Sequence, residues 1–563
     1  MISGARASLQ NDASSSLRDV CAAEWAWRRQ EIPDNEDTTR PVASYLPRVD
    51  RESQENRLRY WEDILGRIDR ISRDELSCAE RINYDTFRAQ IEVLIANQRF
   101  RDYEMPVNAD SMFWTDLAYT ARRPFLTRQD YLGWIAQMRD IPRFFRDQSS
   151  VMRAGLERRF TPPRITMRGR DASIAAVLDA SPETSVFYTP FRTMVGVAAP
   201  EQARLRADAV KVIQDVVKPA YGELLEFMQA EYLPGGRESL AAYDLPDGEA
   251  YYQAKIREFT TLDLSPAAIH ELGVTEVAEL RAKMKSVMRE TGFAGEIPAF
   301  LAFLRTDAQF YAKSADELLM RAAWIAKKFD AKASQYFGHL PRARFSIEPV
   351  ADDIAPFYTA GRGGAGYYLV NTFDLASRPL YNLPALTLHE SAPGHAFQMS
   401  LALEHADQPE FRRHTYNSAY GEGWALYCEQ LGEEMGLYET PYERFGMLGY
   451  QIWRAARLVV DTGLHTQGWT RERAMAYLSE YTPLQQREIE TEVDRYISWP
   501  AQALSYYVGK VAMVEARTAA ERALGDAFDL RAFHDAVLEL GSVPLSVLKR
   551  HMRDFAGELN ACH

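Results

Sequence analysis

A mainly α fold is what this chain predicts, and three observations carry the prediction. Long stretches repeat their apolar residues at helical spacing. Strand-like sequence is confined to one region, 343–372. Two further helical runs, near 386–398 and 420–429, gather histidine, glutamate and glycine. These imply a prolate helical body with a deep cleft between its halves and a small β-sheet.

The elements follow in chain order. Residues 1–8 include Ala5-Arg-Ala7, an Ala-x-Ala pattern with no hydrophobic stretch before it, so an export signal and a plain start both remain open. Helical periodicity then runs through 51–73, 80–100, 128–146 and 200–232, which makes 1–243 a helical region. Asp244-Leu-Pro-Asp-Gly248 is a turn cluster and a seam between the halves. Region 244–563 begins with a helix over 266–291, where Ser265 is placed to cap and Pro266 to occupy the first turn. Further helices are predicted over 314–337 and 441–465. Both regions are expected to pack as one body.

Within 343–372, residues 345–349 and 367–371 read as strands with glycine-rich sequence between them. Gly361-Arg-Gly363-Gly-Ala-Gly366 satisfies the dinucleotide pattern G-x-G-x-x-G, but a strand follows where a helix is required. A flexible loop or lid is the better reading. No Walker loop and no G-x-S-x-G elbow occurs.

Composition excludes several function classes. The chain has 563 residues, 46% hydrophobic, which suits a large folded core. A net charge of −13 argues against a nucleic-acid surface. No apolar run approaches the ~18 residues of a membrane span. Cys21, Cys78, Cys428 and Cys562 are widely spaced and form no C-x-x-C pair, so no thiolate metal site is indicated.

The chemistry concentrates in Leu386-Thr-Leu-His389-Glu390-Ser-Ala-Pro393-Gly394-His395-Ala-Phe-Gln398. Two histidines and an intervening glutamate can hold Zn²⁺ and activate water. In H-E-x-x-H the histidines sit about 40° apart around a helix. Here they are six residues apart, roughly 120° around an ideal helix. Both reach one metal only if the helix breaks between them, and Pro393-Gly394 supplies a break. The plain alternative is a helix ending near Ala392 with two unrelated histidines. Then comes Tyr420-Gly-Glu422-Gly-Trp424-Ala-Leu-Tyr427-Cys-Glu429. Glu422 would complete a two-His, one-Glu set. Glu429, seven residues on and on nearly the same face, is a competing ligand or an outer partner.

The pieces His-Glu-x-x-Pro-Gly-His-x-x-Gln and Glu-Gly-Trp-Ala-x-Tyr resemble the bacterial domain-of-unknown-function family 885. That family is grouped with gluzincin metallopeptidases. More distantly the chain looks like carboxypeptidase Taq, thimet oligopeptidase and angiotensin-converting enzyme. Gly366-Tyr-Tyr-Leu-Val-Asn371, Val460-Asp461-Thr-Gly463-Leu-His465, Arg495-Tyr496, Pro500-Ala-Gln502-Ala-Leu-Ser505-Tyr506 and Phe533-His534-Asp535 match as well. The resemblance runs in order over 345–550 and is weaker in the N-terminal half.

It implies a zinc hydrolase with one Zn²⁺ per chain held by His389, His395 and Glu422, although two-His, one-Glu sites also accept Mn²⁺ or Co²⁺. Glu390 would be the general base. His465 and Tyr506 would stabilise the oxyanion; a helix cap and core packing are their plainer roles. A sheet strand, 366–371, would pair with the peptide at its edge, which makes Tyr367 and Asn371 substrate contacts. Tyr507 is the neighbour that could replace Tyr506. Arg495 and Lys510 are candidates for a peptide carboxylate. Gln398, Glu429 and Asp461 would support the ligands from outside. Carboxypeptidase or dipeptidase action on short peptides is expected by analogy of fold. The alternatives are an amide hydrolase acting on a small metabolite and a metal-free binding protein. Many relatives carry export or lipoprotein leaders, which favours a periplasmic or secreted protein. Oligomeric state is unreadable.

Overall fold

The computed structural model describes residues 2–33, 40–352 and 354–557. The chain is mainly helical, and the described residues contain one three-stranded sheet. All seven predicted helical stretches are helical. Arg51–Asp69 starts at Asp50, whose carboxylate accepts the Ser53 N–H at 3.0 Å. Ser77 caps Cys78–Phe100 in the same way. Arg128–Arg158 continues past Pro142, beyond its predicted end, because Phe144, Phe145 and Met152 extend its buried face. The stretch from Ala199 to Gly235 stays helical through two wider π turns. Pro219 lies just past the first, where its missing N–H leaves the ordinary ladder unmade. Pro266–Glu290 is capped by Ser265 as expected. Ala315–Asp330 is shorter than predicted, and Pro441–Thr466 begins with a capping box from Thr440 and Glu443.

Residues 2–8, read above as an ambiguous leader, form the start of the helix Ile2–Glu31. Met1 and Cys562 lie outside the described residues. Cys21 and Cys428 are buried and free, whereas Cys78 is disulfide-bonded.

Among the described residues four apolar clusters hold the fold together, the smallest packing Tyr368 and Val370 of the sheet region against Leu318, Ala322, Ile325 and Leu383. The largest draws on residues from Ala242 onward, with Phe160 added. The second lies within residues 42–232, and the third joins Leu17, Trp61 and Phe87 to Phe411. At the centre of the largest cluster, the helices Ser418–Glu434 and Ser505–Leu524 approach through Gly423 and Gly509. A Cβ at either position would strike the other helix's backbone, so their axes come closer than side chains would permit.

The sheet corrects the sequence reading. Its strands are β1 (Ser346–Pro349), β2 (Gly361–Gly364) and β3 (Tyr367–Val370), in the order β1-β3-β2. β3 pairs with β1 in parallel and with β2 antiparallel. Both of its edges are therefore occupied, and the strand expected to receive a peptide is the central one. The glycine-rich segment expected as a loop is the edge strand β2. Asn371 is not available to a ligand either. It is fully buried, donates to the carbonyls of Ala355, Tyr358 and Thr359, and accepts the Phe373 N–H. Tyr367 lays its ring across Gly364 of β2.

Candidate metal centre

The helix carrying His389 ends at Glu390, and a new helix begins at His395. The link Ser391-Ala-Pro-Gly394 replaces one turn: Gly394 N–H reaches Leu388 O at 3.0 Å and Phe397 N–H reaches Ser391 O at 3.1 Å. Gly394 lies flat against the His389 carbonyl, where a Cβ would collide. Trp424 Nε1–H donates to Pro393 O at 2.8 Å and ties the link to the helix Ser418–Glu434. That helix carries Glu422 between two glycines. Gly423 admits the neighbouring helix, and Gly421 admits the ring of Tyr416.

The break turns both imidazoles onto one carboxylate. Glu422 Oε2 lies 3.4 Å from His389 Nε2 and 3.5 Å from His395 Nε2. One atom from each of the three residues falls within 4.8 Å of the others, a spacing that could hold a metal ion. Donors on a tetrahedral Zn²⁺ at about 2.0–2.1 Å stand roughly 3.3–3.5 Å apart. Glu422 Oε2 is buried and has no hydrogen-bond partner. A bare buried carboxylate oxygen is costly, and a cation between the three donors would satisfy it.

Glu429 is the outer partner, not the competing ligand. Its Oε1 meets His389 Nδ1 at 2.8 Å, and its Oε2 accepts Gln451 Nε2–H at 3.1 Å. Fixing Nδ1 in this way leaves Nε2 directed at the centre. Burial opposes a charged His389, but Glu422 and Glu429 outweigh it and hold the imidazole up to about 10. Burial also works against the Glu422 carboxylate, yet His395 and His389 keep it well below its ordinary range.

Glu390 sits beside the set. Its Oε2 accepts the Gly363 N–H of β2 at 2.6 Å, and the Gly363 Cα lies against the Glu390 backbone. Tyr416 was not singled out from the sequence. Its hydroxyl reaches Glu422 Oε1 at 3.4 Å. Burial first, then Glu422, Tyr506 and Glu390, push its phenol well above the ordinary value. Tyr506 accepts Arg495 Nη2–H at 3.4 Å, with the Arg457 guanidinium 4.5 Å from its ring centre. Gln451, Arg454 and Arg457 were missed too, because polar residues on a helix read by default as a solvated face.

Other expected site residues serve elsewhere. His465 is fully buried and spends both nitrogens: Nδ1 accepts the Ala242 N–H at 3.0 Å and Nε2 pairs with Tyr496 O at 2.9 Å. It has no free donor for an oxyanion. Among the described residues Asp461 bonds to no histidine; it accepts the Tyr252 hydroxyl and the Ala501 N–H. Tyr507 donates to Glu276 Oε2 at 2.6 Å and ties two helices together. Lys510 Nζ lies 3.5 Å from that same hydroxyl. Gln398 is buried one turn past His395, and among the described residues no hydrogen bond joins it to the ligands.

The chain belongs to the family described as bacterial protein of unknown function (DUF885), whose model matches residues 35–552. It is similar in structure to the putative lipoprotein from Colwellia psychrerythraea, at 26% identity and a TM-score of 0.90 over 98% of this chain and all of that one. It also resembles a putative lipoprotein of unknown function from Shewanella oneidensis, at 17% identity and a TM-score of 0.69 over 97% of this chain and 99% of that one. The second likeness is one of fold. No curated protein sequence matches the chain.

Proposed function

We propose that this protein is a zinc-dependent peptidase that hydrolyses amide bonds of short peptides. The observation that carries the reading is the unpartnered Glu422 Oε2 between the Nε2 atoms of His389 and His395. A Zn²⁺ held there would supply a Lewis acid and acidify water. Glu390 would take a proton from the attacking water through Oε1, its Oε2 being anchored on Gly363, and pass it to the leaving amine. Tyr416 and Tyr506 replace His465 as the donors facing a developing oxyanion. The peptide backbone would align along β2, the edge strand beside Glu390, and not along the central strand β3.

Tyr416, whose hydroxyl reaches Glu422, is 44% exposed, so solvent reaches the side of the centre that a substrate would approach. The Colwellia protein's description supports an exported setting. No described helix is long and apolar enough to cross a membrane.

The test is digestion of a short-peptide library by the zinc-loaded protein. Cleavage is expected, with a loss of ~10²–10⁴-fold in Glu390→Gln at unchanged metal content. Turnover of small amides with no peptide cleaved would replace peptidase by amide hydrolase. No turnover of either would remove the enzyme reading.

A further inference from the structure

The helix Pro441–Thr466 turns two arginines inward. Arg454 is 7% exposed and Arg457 is 2% exposed. Arg454 Nε and Nη1, Arg457 Nη1 and Arg495 Nε are buried without a hydrogen-bond partner. A buried N–H left unpaired is costly, and a guanidinium N–H more so. Packing is not what these groups lack. The guanidinium carbons of Arg454 and Arg457 lie 4.0 and 4.5 Å from the centre of the Trp453 ring system, and Arg454 also covers Tyr450 at 4.6 Å. What they lack is an acceptor. Glu492 takes one bond from Arg457 at 2.9 Å and another from Arg495 at 3.4 Å, whereas Arg454 Nε and Nη1 have no acceptor among the described residues. Glu492 is shared by Arg457 and Arg495, so the unpaired Arg454 nitrogens have no carboxylate of their own.

The cluster adjoins the candidate metal centre. Gln451, one turn before Arg454 on the same helix, donates to the Glu429 carboxylate that fixes His389, and Arg457 and Arg495 both touch Tyr506. We propose that Arg454 and Arg457 bind the free C-terminal α-carboxylate of the substrate, so that the enzyme acts near the C-terminus of short peptides. The substrate class rests on the peptidase reading; the anion site does not. A single carboxylate would supply the acceptor that these guanidinium nitrogens lack. Two guanidinium forks on an aromatic floor suit a planar carboxylate.

The test is calorimetric binding to the full chain carrying Glu390→Gln, with acetyl-Ala-Phe, its C-terminal amide, acetyl-Ala-Glu-amide and inorganic phosphate as probes. The free acid should bind on the order of tenfold tighter than either amide. Arg454→Gln should remove that preference and leave binding of acetyl-Ala-Phe-amide unchanged. Should Arg454→Gln fail to fold, the acid-to-amide ratio in the otherwise unaltered chain decides alone. Equal binding of acid and amide overturns the proposal, as does tighter binding of the side-chain acid or of inorganic phosphate. An acid preference in a chain that cleaves no peptide after zinc loading would leave the carboxylate site standing and remove the peptidase reading. Cleavage of acid and amide peptides at equal kcat/KM, with equal binding, would do the reverse.

Discussion

At the residue scale, the same side-chain type takes different roles according to what reaches its nitrogens. His389 has Nδ1 fixed by Glu429 and Nε2 left for a ligand, whereas His465 has both nitrogens consumed by the backbone. Burial, with Arg237 adding to it, depresses the His465 pKa to about 3. The unfolded imidazole titrates near 6.5. Below that pH the unfolded chain gains a proton that the folded one refuses, so stability present above pH 6.5 is lost as pH falls toward 3. His465→Gln should therefore flatten the acid side of the stability curve, by about 2 kcal/mol between pH 7.5 and 5. Urea midpoints across that range read it, and metal content should not change. If metal were lost with the fold intact, His465 would belong to the site after all. Tyr416→Phe is expected to lower kcat by about 10²-fold or more, with metal content and thermal midpoint near wild type. An unchanged kcat would remove Tyr416 from the reaction.

At the element scale, the split between the helices Leu383–Glu390 and His395–Glu404 was legible because its cause is local. Proline and glycine side by side cannot continue a helix, and six-residue spacing cannot converge without a break. The strand order was not legible. Tyr367–Val370 reads as a strand from its own residues, but whether it lies at the edge depends on Ser346–Pro349 and Gly361–Gly364. Tyr416 also lay beyond reach, since a tyrosine in a link before a helix carries no periodic signal. β2 gives a direct test. A Cβ at Gly363 would press into the Glu390 backbone. Gly363→Ala should lower kcat sharply, because the Gly363 N–H holds the Glu390 carboxylate. Normal turnover would show that the β2 edge does not position Glu390. Gly423→Ala should instead wedge apart the helices Ser418–Glu434 and Ser505–Leu524. A loss of about 1–3 kcal/mol in unfolding free energy is expected.

At the scale of the whole molecule, the helical class and the ranges of the long helices followed from periodicity. The partners of buried polar groups did not, because Glu429 with Gln451 and Asp461 with Tyr252 meet only after distant helices pack. The ligand set itself joins three separate helices, so an ion bound there would cross-link the core of the C-terminal half. Binding to the folded state alone raises stability by mass action. Chelation should lower the thermal midpoint, and added zinc should restore it.

The most direct measurement is metal content per chain in the purified protein, beside His389→Ala and Glu422→Ala. The account predicts about one zinc in the wild type, lost in both variants while the helical fold is retained. A wild-type protein that holds no metal, and takes up none when zinc is supplied, would contradict it.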